Sequence, residues 1–226
     1  MNVLDLPYIF ANAEHAYKVL DGSIGRGLLD ELEANNLKGL AYWEVGFRSL
    51  TNSRKPVRTP DDIKGLKVRT TPNPAHIKAF QLFGANPSPM PLAEVFTAME
   101  NKAIDGQENP VGIVRGNKFN EVQKYMSLTK HAYTAMPVVI NKAKFASLTA
   151  SQQQALVDSA IAAGTFQREL IKKTEAADIA YLKANGMQIE ENINPEPFRK
   201  IVAEPIKQMF SEKYGTQLVD AVINAR

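Results

Sequence analysis

The chain has 226 residues, 44% of them hydrophobic and 23% charged, with a formal net charge of +3 and no cysteine. That is the composition of a globular protein long enough to bury a sizeable core, as one large domain or two small lobes. It excludes disulfides and thiolate metal sites, offers no apolar run near the roughly 18 residues of a membrane helix, and interleaves its basic and acidic residues in a way that leaves no footprint for nucleic acid.

The opening, Met1 to Pro7, lacks the basic start, apolar stretch and small-residue cleavage site of a signal peptide. Val3-Leu4 and Tyr8-Ile9-Phe10 read as buried positions on either side of Pro7, so a truncated start, already inside a fold, is expected. From Glu14 to Asn35 the apolar residues Tyr17, Leu20, Ile24, Leu28, Leu29 and Leu32 recur at helical spacing, interrupted by Gly22, Gly25 and Gly27, which predicts two helices or one bent helix. Leu37 to Phe47 predicts a strand that carries Trp43, the single tryptophan. Asn52 to Pro56 is a turn cluster, and Thr59-Pro60-Asp61-Asp62-Ile63 has the look of a short helix start.

Next come a strand at Leu66 to Arg69, a helix from Pro74, an extended stretch from Ser88 to Met90, a helix from Ala93 to Lys102 and a strand at Ile104 to Gln107. This β-α-β-α alternation with short links predicts a mostly parallel sheet flanked by helices. Two further strands are predicted at Tyr125 to Thr129 and Met136 to Asn141, the second rich in β-branched residues. From Thr149, a capping residue, to Asn185, before Gly186, no proline intervenes, which predicts one helix far above the usual length of about a dozen residues. A strand at Met187 to Ile189 and helices from Pro195 complete the pattern.

Arg69 is the sharpest single position. It closes a strand, where open α/β sheets place their ligands, and its planar guanidinium matches the two oxygens of a carboxylate. Asp105-Gly106-Gln107-Glu108-Asn109-Pro110 follows another apolar strand, and the Asn109 amide is suited to reading a carboxylate or hydroxyl. Asp105-Gly106 itself reads as a turn. Glu108 and Asp105 could be drawn as a catalytic pair, but nothing supplies a nucleophile, metal or oxyanion donors beside them. His15 and His76 have no partner at ligand spacing and read as surface or helix-packing residues, while His131, after a strand and before Tyr133, stays open. No nucleophile elbow, phosphate loop or metal motif occurs, so no catalytic residue, metal or cofactor is expected.

Taken together, Tyr42-Trp43-Glu44 through Phe47-Arg48, Leu50-Thr51-Asn52-Ser53, Gly65 to Arg69, Pro89-Met90-Pro91, Glu94 to Ala98 and Asp105 to Pro110 resemble the solute-binding proteins of tripartite ATP-independent periplasmic (TRAP) transporters, the DctP-like family. The resemblance implies a periplasmic, non-enzymatic α/β protein whose two lobes close on a small organic acid and deliver it to a membrane permease. A long helix runs behind both lobes. Lobe I would comprise residues 1–47 and 134–172, and lobe II residues 48–133 and 173–226. Arg69 would pair with the ligand carboxylate, with Asn109 supporting the same group and Arg48 adding a second positive charge. Trp43, Glu44, Asn73 and His131 fall where pocket-lining residues are expected, and Leu92 stands where sialic-acid binders place a phenylalanine. The resemblance implies a signal peptide and roughly a hundred further residues before this point in relatives, so lobe I would be incomplete here. Within the family the residues favour a sugar acid such as a uronate or ketogulonate. The alternatives are a four-carbon dicarboxylate, a ligandless remnant, or an enzyme acting on sugar acids with Glu108 or His131 as base.

Overall fold

The computed structural model describes residues 1–225. A 3-10 turn at Asn2–Asp5 leads into α1 (Ala13–Asp21) and α2 (Ser23–Asp30), parted at Gly22 as the glycine pattern suggested. Strand β1 (Leu37–Asn52) follows, then β2 (Lys67–Thr70), α3 (Pro74–Leu82), β3 (Asn86–Pro89), α4 (Leu92–Glu100), β4 (Gly106–Asn109) and α5 (Val111–Gly116). The remainder is β5 (Tyr125–Asn141), α6 (Lys142–Ala146), α7 (Ala150–Ala184), β6 (Gln188–Glu190), α8 (Glu196–Tyr214) and α9 (Gln217–Asn224). Side-chain caps set the helix starts: the Asn12 and Asn73 amide oxygens accept from backbone N–H groups in α1 and α3, and Thr149 with Gln152 forms a capping box on α7.

The six strands form one sheet in the order β3-β2-β4-β1-β5-β6. It is mixed, not mostly parallel: β2 pairs parallel with β3 and β4, and β5 with β6, but β1 runs antiparallel to both β4 and β5. The difference arises because the two strands expected around residues 125–141 are one strand of 17 residues, paired with β1 from Leu37↔Asn141 to Asn52↔Tyr125. Lys130 interrupts the apolar pattern with a φ of +43°, and the register shifts opposite it between Arg48 and Leu50. A bulge of this kind bends a strand without ending it. Pro137 is accommodated because β6 pairs only with Tyr125 to Ser127, which leaves that part of β5 as an edge. A second register shift, between Glu44 and Gly46, is built on the φ of +111° at Gly46, which an L side chain rarely adopts.

Helix α7 has the predicted span, 35 residues, or about 52 Å at 1.5 Å per residue. It braces β1 closely: Trp43 Nε1 donates to the Ala160 carbonyl at 2.9 Å, and a Cβ on Gly164 would come within 3.0 Å of the Trp43 ring. Gln167 grips the Glu44 backbone on both sides, accepting from its N–H at 2.9 Å and donating to its carbonyl at 2.6 Å. Arg168 reaches Asp21 and the Tyr42 carbonyl, and Asp178 accepts from Arg115 on α5. One apolar core gathers α1, α2, α3, α8 and α9 around residues such as Leu29, Phe80, Tyr133 and Phe198. A second packs α4, α5 and the end of α7 around Val95, Phe119, Met126 and Leu182.

Gly106, expected in a turn, is instead the first residue of β4, where β1 presses against it: a Cβ would lie 2.0 Å from the Thr51 carbonyl oxygen. Gly106→Ala should therefore destabilise the protein by at least about 2 kcal/mol through overpacking. Gly116→Ala, with nothing within 4 Å of the added carbon, should stay within about 0.5 kcal/mol of the parent. Urea unfolding of the two variants checks both.

Candidate functional site

Three strands bring polar side chains to one place. Opposed pairs Ser49↔Asn109 and Leu50↔Glu108 set β1 against β4, and the bulge after Arg48 lets its side chain reach across the junction. Arg48 Nε and Nη2 donate to the two carboxylate oxygens of Glu108, and Nη2 donates also to the Glu108 carbonyl at 2.7 Å and to Asn109 Oδ1 at 3.0 Å. Its Nη1 donates to Thr134 Oγ1 at 3.1 Å. From β5, His131 places Nε2 at 3.2 Å from Glu108 Oε2 and Nδ1 at 2.8 Å from Thr129 Oγ1. Glu108 is fully buried; burial pushes its carboxyl up, but Arg48, His131 and the nearby His76 outweigh that and hold it well below the usual range. Breaking such a pair by removing one partner strands a buried charge.

The chain of contacts continues beneath. Gln107 and Asn109, two apart in β4, share a face: Asn109 Nδ2 donates to Gln107 Oε1 at 2.6 Å, Gln107 Nε2 donates to Thr51 Oγ1 at 2.9 Å, and Thr51 donates to Gln123 at 3.0 Å. Gln107 lies opposite Arg69 in the parallel β2–β4 pair.

Arg69 is different in kind. It is 4% exposed, yet its Nε and Nη2 donate only to the Met90 carbonyl, at 2.9 and 2.7 Å, and no carboxylate of the described residues lies within ion-pair distance. Burial lowers its pKa, with Glu108 opposing and Arg48 adding to the shift. The hydroxyl of the next residue, Thr70, is buried without a partner.

A recess of about 410 Å³ opens beside this cluster, lined by Asp5, Arg48, Thr71, Asn73, His76 and Thr134 among others. Asn73 donates to Asp5 Oδ2 at 3.3 Å while capping α3. His76 approaches the Asp5 carbonyl with Nε2 at 3.1 Å and Thr71 Oγ1 with Nδ1 at 2.8 Å, so Nε2 carries the proton and the Thr71 hydroxyl donates to Nδ1.

The structure thus brings Arg48, Asn109 and His131 together, sets Asn73 at the recess, and holds Arg69 where it feels both Arg48 and Glu108. Trp43 and Glu44 part company. Trp43 lies against α7 and lines neither this recess nor the larger cavity, of about 610 Å³, in whose wall Glu44 sits. His131 is sealed under Glu108 and Phe80 and does not reach the recess. His15 packs within the fold, accepting from the Ala11 N–H and donating to the Val222 carbonyl. His76 lines a recess, which its reading as a surface or packing residue did not anticipate. The available signal was its place in the first turn of a helix that starts immediately after the Arg69 strand. Asp5 and Thr134 carried no comparable signal.

Two groups at the recess titrate in opposite senses. Burial lowers His76 from 6.5 to about 4, so the stability it contributes is full above pH 6.5 and is lost as pH falls through about 4. Asp5 is raised from 3.8 to about 6, by burial with Arg48 opposing, so its contribution is full below pH 3.8 and is lost as pH rises through about 6. Between about 4 and 6 the two nearly cancel, and the Glu108 contribution is lost only as pH falls below its ordinary 4.5 and on toward its depressed pKa. His76→Gln should unmask Asp5 and gain stability from pH 6.5 to 4. Asp5→Asn should unmask His76 and lose stability over the same window. Urea midpoints across that range read both slopes.

Comparison with known proteins gives this geometry its context. The model of bacterial extracellular solute-binding protein family 7, DctP, matches residues 1–213. An uncharacterized protein of Haemophilus influenzae is 51% identical over 222 residues, which is 98% of this chain and 68% of that protein. The 2,3-diketo-L-gulonate-binding periplasmic protein YiaO of Escherichia coli is 47% identical over 224 residues, with the same 98% and 68% coverage. A TRAP periplasmic solute-binding protein from Polaromonas sp. JS666, solved with D-erythronate, superposes with a TM-score of 0.94 at 39% identity, over 98% of this chain and 73% of that one. The sugar acid binding protein DctPAm from Advenella mimigardefordensis, solved with galactonate, superposes with a TM-score of 0.92 at 39% identity, over 99% and 73%. These neighbours have the expected two-lobe α/β fold. The chain belongs to bacterial extracellular solute-binding protein family 7, the DctP family of TRAP-transporter solute-binding proteins.

Proposed function

We propose that this protein captures a hydroxylated sugar acid in the periplasm, with Arg69 as the carboxylate anchor, and hands it to a TRAP permease. The observation that carries the reading is the Arg69 guanidinium, buried at the carboxyl end of a parallel strand and held by a single carbonyl. A buried cation in that state lacks its natural counter-charge, and a ligand carboxylate would supply it bidentately. Asn109 and Arg48 stand behind the same group, and Asn73 offers an amide at the recess. Three of the relatives named above bind or were solved with 2,3-diketo-L-gulonate, D-erythronate and galactonate, all hydroxylated acids, which favours that class over a four-carbon dicarboxylate.

Lobe I (1–47, 134–172) and lobe II (48–133, 173–226) would then meet where β1 and β5 pass through Phe47–Arg48 and Tyr133–Thr134, with α7 as the brace behind them. Closure would exclude water and strengthen the ion pair, and reopening would release the acid. An enzymatic role for Glu108 or His131 is disfavoured on access: Glu108 is ion-paired and fully buried, and both ring nitrogens of His131 are engaged. No helix among the described residues is long and apolar enough to cross a membrane.

Arg69→Ala should weaken binding of a six-carbon aldonate or uronate by about 2–5 kcal/mol, roughly 30-fold or more, while the ligand-free variant still unfolds cooperatively. Titration calorimetry reads the loss, and an unchanged affinity would refute the anchor. Arg48→Ala should instead cost about 3–5 kcal/mol of folding stability, because it leaves Glu108 buried and unpaired. In a thermal-shift panel, sugar acids should raise the melting temperature more than succinate or malate does.

A further inference from the structure

The larger cavity is not accounted for by carboxylate capture. Its 610 Å³ lie between α1, β1, α5 and α7, and the two buried acids in its wall are Glu44, only 6% exposed, and Asp178, which is engaged by Arg115. Glu44 Oε2 accepts from the Tyr17 hydroxyl at 2.6 Å and from the Tyr133 hydroxyl at 3.1 Å. Burial first, and Glu44 itself, push both phenols far above their ordinary range, so they remain donors. With Gln167 gripping its backbone, the residue is rigidly held. No lysine, arginine or histidine of the described residues is within ion-pair distance of it, and Oε1 accepts no hydrogen bond from them. That oxygen faces the bare side of Gly46, where a Cβ would approach it to 3.9 Å.

A carboxylate oxygen of a largely buried residue, reached only from an open cavity, is an acceptor offered to whatever occupies that cavity. The position of the cavity says which kind. Two of its lining residues, Phe47 and Pro110, are the chain neighbours of Arg48 and Asn109, and adjacent Cα atoms stand about 3.8 Å apart. The Glu44 cavity and the cluster behind the acid anchor therefore share two backbone segments. Phe47, Val111, Ile113 and Met136 supply apolar wall for the C–H faces of a carbon chain.

We infer that Glu44 is the specificity-determining residue for the end of the ligand remote from its carboxylate: Oε1 accepts hydrogen bonds from the ligand's hydroxyls and repels a second carboxylate. This rests on the sugar-acid reading above and names what selects within it. An acid without hydroxyls leaves the oxygen unpaired, which a site built for hydrogen bonding penalises strongly. A dicarboxylate sets like charges against each other, and Glu14 and Glu169 in the same lining add to that repulsion, against one lining base, Lys172. The other two lining acids are engaged, Glu175 with Lys130 and Asp178 with Arg115.

The test is calorimetric titration of galactonate, hexanoate and succinate into the parent protein, Glu44→Gln and Arg69→Ala. The parent should prefer galactonate to both others. Glu44→Gln should narrow the galactonate-to-succinate affinity ratio by about tenfold or more, through weaker galactonate and stronger succinate binding. Arg69→Ala should weaken every acid and leave the ratio in place. The ratio does not depend on how much of a variant is folded, because both ligands meet the same fraction. A ratio unmoved by Glu44→Gln overturns the inference and leaves the receptor reading standing. A parent protein that binds none of the acids overturns both.

Discussion

The contact on which this structure turns is the buried pair between Arg48 and Glu108. Each residue belongs to a different strand, and neither can be left alone in an apolar interior. Their mutual satisfaction therefore locks β1 to β4 at the point where the long β1–β5 ribbon meets the parallel part of the sheet. His131, Thr134 and Asn109 fill the remaining bonding positions of the pair, so three strands are tied by one ionic group. Such a pair adds little net stability compared with apolar packing, but it tolerates few alternative registers. What it contributes is placement.

Placement explains the contrast between the two arginines. Arg48 has its charge answered within the protein and serves as a rigid back wall. Arg69 is equally buried but is answered only by the Met90 carbonyl. Under it, the ladder Asn109–Gln107–Thr51–Gln123 is bonded end to end, so the strand ends that carry these groups have little freedom to rearrange. The carboxylate-anchoring role proposed for Arg69 would suit such a support, because the cost of ordering the group has already been met on folding. Helix α7 extends the same stiffness to the other side of β1 through Trp43, Gln167 and Arg168, and there it fixes Glu44 at the wall of a separate cavity.

Much of this was legible in the residues. The span of α7 followed from Thr149, Gly186 and the lack of proline between them, local signals that act close to where they stand. Arg69, at a strand end before a turn, and Asn109, before a proline, were marked by short-range pattern, and the family motifs were contiguous stretches. The failures share a cause. The continuity of β5 was hidden by Lys130, whose left-handed backbone is tolerable only because β1 shifts register opposite it. Gly106 was mistaken for a turn glycine because the pressure that excludes a side chain comes from Thr51, 55 positions away in sequence.

By itself, then, the sequence determined the helices, most strand positions, the strand-end place of Arg69 and the family, since these rest on periodicity, capping and short motifs that neighbours in the chain decide. Only the tertiary structure decided which charges are answered and which are left over. That Arg48 is consumed by Glu108 while Arg69 is not, that His76 faces a recess while His131 is sealed, and that Trp43 packs on α7 while its neighbour Glu44 lines a cavity all depend on strand pairing and burial. Those contacts form between residues far apart in the chain, and no local pattern encodes them.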